Sequence, residues 1–186
     1  NFNIHNYDIT TDLTWSQRWY TATIPLDHVY LSPHDRNNIV MELRDGHYYY
    51  NPFQIVDDAI YYINSYRETG DHAFITRVYS YADKLAELSL RCHNGIYIPD
   101  PVSYNLDDGR SQYIEVAPWY CGFIQGLALS VYSRTYELTG NARMKAMADS
   151  VFNTFVFADS SDNIWTSFVD SAEYYWIEEY PFHPPI

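Results

Sequence analysis

The chain repeats itself, and this repeat constrains its fold more than any other feature. The stretch from Phe53 to Asp71 resembles the stretch from Phe123 to Asn141, and the Thr-Gly pairs near their ends lie 70 residues apart. The apolar spacing within each copy is that of a helix. Glycine commonly follows the last helical residue, and Asp or Asn commonly caps the next helix. Each copy therefore predicts a helical hairpin.

The second helix of each copy is predicted over about residues 72–90 and 142–157. In the first of these, apolar side chains recur at helical spacing and form one buried face: Ile75, Val78, Tyr79, Ala82, Leu85 and Leu88. The first helix of the first copy is predicted to begin near Phe53, with Pro52 at its first position. The two glutamines of the copies are 71 residues apart, so they align with a slip of one residue.

The rest of the chain divides around these repeats, which extend over about 51–93 and 119–158. Residues 1–50 are predicted to form an extended lead-in, with or without short strands, and residues 51–186 a helical-hairpin repeat domain. The loop-rich insert between the repeats is expected to form a short hairpin around Tyr97 and Tyr113. Helical hairpins need neighbours to bury their faces, so two of them predict an arc.

Composition excludes several classes of function. The net charge of −13 argues against a nucleic-acid partner, which binds basic surfaces. No apolar run is long enough to span a membrane. The seven histidines show no pair at metal-ligand spacing, so no metal site is predicted. Twenty tyrosines and five tryptophans suit a carbohydrate-binding cleft that stacks on sugar rings, and they equally suit an aromatic core.

Chemistry-bearing residues concentrate near the end of the chain, in the stretch from Tyr174 to Pro181. There Glu178 and Glu179 are flanked by three tyrosines and a tryptophan. A carboxylate among aromatic rings loses hydration, so it exchanges protons closer to neutral pH. The neighbouring phenol of Tyr180 can give or take a proton. The alternative is a surface turn with core aromatic side chains.

Two further segments are placed equivalently by the repeat. Tyr50-Asn51-Pro52 and Pro118-Trp119-Tyr120 both precede the first helix of a copy. In repeated hairpins, the loops at the starts of the first helices tend to line a cavity. The sequence therefore predicts that these two segments frame a common cleft.

The motifs together resemble the C-terminal domain of D-glucuronyl C5-epimerases. The resemblance lies in Pro118 to Ser130, which reads Pro-Trp-Tyr-Cys-Gly-Phe-Ile-Gln-Gly-Leu-Ala-Leu-Ser, and in Arg134 to Gly140. It extends to Tyr50-Asn51-Pro52 and to Glu178-Glu179-Tyr180-Pro181. The resemblance implies an all-α fold of the (α/α) toroid type, made of repeated helical hairpins. The toroid is expected to be incomplete, because the family's domain continues with further helices.

The resemblance also implies an activity. The family inverts C5 of glucuronic acid units in a heparosan- or heparan-like polysaccharide, without an organic cofactor. Glu179 and Tyr180 match the family's catalytic Glu-Tyr pair. The residues expected to line the sugar site are Tyr50, Trp119, Tyr120 and Gln125. The expected partner is thus a uronic-acid-containing polysaccharide, and a homodimer is the oligomeric state considered.

Alternatives stay open for the function and for single residues. A uronate lyase would begin with the same proton abstraction, whereas a glycoside hydrolase would need two carboxylates on opposite sides of the glycosidic bond. A non-catalytic glycan-binding helical domain is the alternative from another class. Trp119 also suits a core position, and Gln125 also suits a helix-terminal position that contacts loop backbone.

Overall fold

Four helices and four two-stranded antiparallel sheets form the described part of the chain. The computed structural model describes residues 21–26, 32–93, 95–106, 114–156, 167–169, 171–172 and 174–180. The helices are α1 (Pro52–Thr69), α2 (His72–Leu88), α3 (Gly122–Thr139) and α4 (Ala142–Val156). The strands are β1 (Glu42–Arg44), β2 (His47–Tyr49), β3 (Leu90–Cys92), β4 (Gly95–Tyr97), β5 (Tyr104–Asn105), β6 (Ile114–Glu115), β7 (Ser167–Val169) and β8 (Tyr175–Ile177).

In each hairpin, the first helix ends and the second helix begins where the sequence predicts. Gly70 and Gly140 follow α1 and α3 in the left-handed conformation, with φ of 71° and 67°. Glycine adopts this conformation without the clash that a Cβ would cause. Asp71 accepts a hydrogen bond from the Ala73 amide, and Asn141 caps α4 in the same way at 2.9 Å. The prediction of two helical hairpins is confirmed.

The structural repeat has a register of 70 residues. Both α1 and α3 contain 18 residues, and the bounds of α3 are those of α1 shifted by 70. Gln54 therefore corresponds to Ile124, and Gln125 lies one position further along its helix. The slip of one residue therefore concerns the glutamines alone, because the bounds of the two helices correspond without it.

Short hairpins correct two expectations. Tyr97 pairs with Leu90 in the hairpin of β3 and β4, and Tyr104 pairs with Glu115 in a separate hairpin of β5 and β6. The insert thus contributes to two hairpins instead of one, and Tyr113 lies outside the described residues. The chain is helix-rich with interspersed strands and not purely α-helical. The incomplete (α/α) toroid stays a prediction.

One apolar core joins the helices to the lead-in. Helix α1 packs against α2 and α3, and α3 packs against α4. The largest buried side chains include Tyr62, Tyr81 and Tyr132. Ile24 and Ile39 of the lead-in are buried in the same core, which fastens this segment to the first hairpin. None of the helices in the described ranges is long and apolar enough to cross a membrane.

Candidate active site

A pocket of about 280 Å³ opens at the starts of α1 and α3. Five short segments supply its lining. The residues are Glu42, Arg44, Tyr49, Asn51, Phe53, Asp100, Val102, Tyr104, Trp119, Cys121, Phe123, Ile124, Glu179 and Tyr180. The pocket thus contains three carboxyl groups, one guanidinium and several aromatic rings.

The structure divides the six predicted site residues into two groups. Three of them line the pocket: Trp119, Glu179 and Tyr180. Three are not among its lining residues: Tyr50, Tyr120 and Gln125. The segments before the two helices do meet at one cleft, but in the first of them Tyr49 and Asn51 line it.

Tyr50 and Tyr120 have other contacts. The Tyr50 hydroxyl donates a hydrogen bond of 2.9 Å to Asp35, and Lys84 Nζ lies 4.2 Å from the centre of its ring. The ring of Tyr120 packs edge-on against Tyr97, with 6.1 Å between ring centroids. Tyr50 therefore ties the lead-in to α2, while Tyr120 packs against a hairpin strand.

Gln125 is buried, with only 2% of its surface exposed. Its amide nitrogen donates to the Ile96 carbonyl at 2.6 Å and to Thr154 Oγ1 at 3.0 Å, while its amide oxygen accepts from the Ile98 amide at 3.3 Å. Buried amides require such partners. This side chain therefore connects α3 to α4, to β4 and to Ile98, the residue after β4. It contacts backbone, as the alternative interpretation of Gln125 predicts.

Three aromatic rings stack together at one side of the pocket. The centroid of Tyr180 lies 5.6 Å from that of Tyr104 and 6.1 Å from that of Trp119, and Tyr104 and Trp119 are 6.2 Å apart. Their planes are inclined by 14° to 26°. Burial raises the pKa of Tyr180 to about 12, and the charge of Glu179 and a hydrogen bond with Tyr104 act in the same direction. The phenol therefore keeps its proton at neutral pH.

Gly122 anchors the segment that carries Glu179 and Tyr180. Its amide, the first of α3, has no partner within the helix and donates to the Glu178 carbonyl at 2.9 Å. A Cβ at this position would collide with Ile177 Cγ2 and approach the Glu178 carbonyl oxygen to 3.0 Å. The absence of a side chain thus permits the contact that holds the Glu-Tyr pair at the pocket.

Asp100 is a pocket carboxyl that the sequence did not indicate. Its backbone pairs with that of Trp119 through hydrogen bonds of 2.8 and 3.2 Å, and Trp119 Nε1 donates to the Val102 carbonyl at 2.9 Å. Burial raises the pKa of Asp100, the charge of Glu42 adds to this, and the amide of Val102 and the charge of Arg44 act against it. The carboxyl group of Asp100 therefore keeps its proton to a higher pH than an ordinary aspartate does.

The opposite wall comes from the hairpin of β1 and β2. Its two turn residues, Asp45 and Gly46, both have positive φ of 52° and 78°, as in the tight turns that suit hairpins. Glu42 faces Tyr49 across the hairpin and accepts a hydrogen bond of 2.6 Å from the Asn51 side chain. Burial raises the pKa of Tyr49, and a hydrogen bond to Glu42 adds to the effect.

Two phenylalanines at equivalent positions of the repeat meet at the rim. Phe53 and Phe123 stack with 5.6 Å between centroids and 28° between planes. Both rings remain more than one third exposed and line the pocket. Neither was predicted as a site residue, although their shared place in the two copies is a sequence signal that could have identified them. Sugars stack on exposed aromatic faces of this kind.

The arrangement suits proton transfer. It combines carboxyl groups, a protonated phenol and a guanidinium within one partly apolar pocket, which are the groups that general acid–base chemistry uses. Among the described residues, no group of three or more His, Cys, Asp or Glu side chains is arranged to hold a metal ion.

Comparison with known proteins assigns one part of the chain. Residues 99–186 match the family model described as the D-glucuronyl C5-epimerase C-terminus. Comparison with curated proteins gives no significant match. Nine of the fourteen lining residues, from Asp100 to Tyr180, lie in the matched segment, and the other five lie between Glu42 and Phe53. Residues 99–186, which include the Glu-Tyr pair and the ring stack, are thus similar to the C-terminal part of D-glucuronyl C5-epimerases.

Proposed function

We propose that this chain inverts C5 of glucuronic acid units in a heparosan-like polysaccharide. The observation that carries the proposal is the presence of Glu179, Tyr180 and Trp119 in one pocket within the family-matched segment. The pocket offers aromatic faces for sugar rings and ionisable groups for the reacting carbon. The substrate is therefore a uronate in a chain of sugars.

The reaction consists of two proton transfers at one carbon. The carboxylate of Glu179 takes the C5 proton, and the electron pair of the broken C–H bond delocalises into the adjacent carboxyl group. The phenol of Tyr180 then delivers a proton to the opposite face of C5, which inverts that centre. The proton held by Glu179 returns to the Tyr180 phenolate through solvent, so the enzyme is restored without a co-reactant.

The environment of Tyr180 supports its role as the proton donor. Because burial raises its pKa to about 12, the neutral phenol predominates across the physiological range. A carbanion next to a carboxylate is far more basic than a phenolate, so delivery of the proton is favourable. The donor is lost only as pH rises towards about 12, so the alkaline limit of activity is expected to lie well above neutrality.

Deuterium exchange tests the proposal directly. We expect heparosan incubated with the protein in deuterium oxide to acquire deuterium at C5, detected by NMR. Replacement of Tyr180 by Phe keeps the ring stack and removes the proton, so it should reduce exchange by about 100-fold or more. The matched control is Tyr48→Phe, since Tyr48 is 60% exposed and does not line the pocket.

Other products would identify the alternative activities. An unsaturated uronate at new chain ends would mean a lyase, and new reducing ends without unsaturation would mean a hydrolase. Binding of heparosan with none of these signals, and with equal affinity in the Tyr180→Phe variant, would replace the epimerase proposal with a glycan-binding role.

A further inference from the structure

Arg44 occupies an unusual position in an acidic pocket. Among the described residues that line it, Arg44 is the one with a basic side chain, and it shares the lining with Glu42, Asp100 and Glu179. The whole chain carries a net charge of −13. Within the described lining, the guanidinium of Arg44 is therefore the positive charge that would attract an anionic sugar.

The hairpin register explains why Arg44 belongs to the pocket. Residues two apart on a strand point to the same face, so Glu42 and Arg44 project together. Glu42 pairs with Tyr49 across the hairpin, and Arg44 pairs with His47 next to the turn. Leu43 and Tyr48 belong to the opposite face, and both are more than half exposed.

Two of the nearby acids, Glu42 and Asp100, accept hydrogen bonds from other residues. Glu42 accepts the hydrogen bond from the Asn51 side chain, and Asp100 accepts one of 2.9 Å from the Val102 amide. Arg44 takes part in none of the salt bridges found among the described residues. Its side chain is exposed at the hairpin end, so its five N–H donors are accessible to a ligand.

We propose that Arg44 binds the carboxylate of the uronate whose C5 is inverted, and so makes the pocket selective for uronates over neutral hexoses. This inference rests on the function proposed above and assigns a residue outside the segment matched by the family model. A guanidinium matches a carboxylate with two parallel hydrogen bonds, which lysine does not reproduce.

Binding at this position also assists the reaction. When the C5–H bond breaks, its electron pair moves into the carboxyl group and increases the negative charge there. A guanidinium held at that group interacts more strongly with the intermediate than with the substrate. Arg44 therefore contributes to kcat as well as to KM.

Two substitutions and a matched control test the inference. We expect Arg44→Gln to reduce kcat/KM for C5 exchange on a heparosan oligosaccharide by roughly 10- to 100-fold, since it removes a charged hydrogen-bonding partner. Arg44→Lys should restore part of this loss. The control is Arg91→Gln, which changes an exposed arginine on the three-residue strand β3, outside the pocket lining, and should leave exchange unchanged.

A second ligand provides a readout that a purely structural role would not change. Binding of the same oligosaccharide with its carboxyl groups reduced to alcohols is measured alongside, by calorimetry. The wild type should prefer the uronate form, and Arg44→Gln should lose most of that preference while its melting temperature remains that of the wild type. An unchanged preference and an unchanged kcat/KM in Arg44→Gln would overturn the inference.

The two proposals fail in distinguishable ways. If the wild type exchanges C5 protons and Arg44→Gln does so equally well, the role of Arg44 is wrong and the epimerase proposal stands. If the wild type binds the uronate oligosaccharide selectively through Arg44 without exchange, the epimerase proposal is wrong and the carboxylate site stands.

Discussion

The starts of α1 and α3 are equivalent in the repeat and differ in what they carry. In the first copy, Asn51 caps the helix through the Phe53 amide and also donates to Glu42. In the second copy, a thiol caps the helix, and the next residue, Gly122, holds the segment of the Glu-Tyr pair. The duplicated helices thus supply a scaffold, and the pocket arises where the copies diverge.

The residue that caps α3 is also more deeply buried than the residue that caps α1. Cys121 is only 5% exposed, and its Sγ accepts a hydrogen bond from the Ile124 amide at 3.3 Å. Asn51 is half-buried and keeps its polar side chain at the pocket. The start of α3 is therefore part of the packed base of the site, while the start of α1 contributes polar groups to its wall.

The largest expected effect comes from breaking the contact of the second helix start. Gly122→Ala should displace residues 177–178, because the added Cβ would collide with Ile177 and crowd the Glu178 carbonyl. A displacement of about 1 Å at a catalytic group can reduce the rate by about 100-fold. We therefore expect C5 exchange to fall by up to about 100-fold, while the circular dichroism of the helices remains unchanged.

The control lies four residues further along the same helix. Gly126→Ala places its Cβ in open space, with no atom within 4 Å, so it should stabilise the helix by about 0.5–1 kcal/mol and leave exchange unchanged. Equal activities of the two variants would show that the Gly122 contact does not position the Glu-Tyr pair.

An effect of intermediate size, a loss of folding stability at high pH, is expected from the buried thiol of Cys121. Burial raises the pKa of Cys121 to about 11 from its ordinary value of 9.0. Hydrogen bonds from the Ile124 and Phe123 amides act against this shift, and the charge of Glu179 adds to it. The folded state therefore favours the protonated thiol. Its stabilising contribution is complete below the pKa of the unfolded thiol and is lost as pH rises through about 11. The loss is on the order of 2–3 kcal/mol.

Urea unfolding between pH 8 and pH 11 measures this contribution. Cys121→Ala and Cys121→Ser both remove the titrating thiol, so both should show a shallower decline of the free energy of unfolding than the wild type does. Serine retains an acceptor for the Ile124 amide and should be the better helix cap. If the free energy of unfolding declined as steeply in both variants as in the wild type, the thiol would be excluded as the source of the decline.

The smallest effect is expected at the first helix start. Asn51→Ala removes the cap of α1 and the hydrogen bond to Glu42, and should lower the free energy of unfolding by about 1–2 kcal/mol. Asn141→Ala removes the cap of α4, which has no pocket partner, and should cost about 1 kcal/mol. Only Asn51→Ala should also change exchange activity, because Glu42 lines the pocket.

Local signals in the sequence predicted most of the helical scaffold. Thr-Gly followed by Asp or Asn located the ends of α1 and α3 and the caps of the next helices. Asp45-Gly46 is also a local turn signal, although the sequence does not decide whether strands flank it. Such features depend on residues within one or two turns of each other, so a linear pattern contains them.

Motif matching located part of the site. Glu179, Tyr180 and Trp119 were identified by their resemblance to the family, and they do line one pocket. The neighbouring Tyr50 was chosen although Tyr49 is the residue that lines it, because three consecutive tyrosines cannot be distinguished without the register of the hairpin.

The sequence by itself therefore determined the helices, their caps and the repeat, because helical spacing and capping are local interactions. Only the tertiary structure decided which side chains share the pocket. Arg44, Asp100 and Tyr104 come together with Tyr180 through strand register, a backbone bridge and ring stacking between segments far apart in the chain. Long-range packing selects among chemically similar residues, and no local pattern encodes that selection.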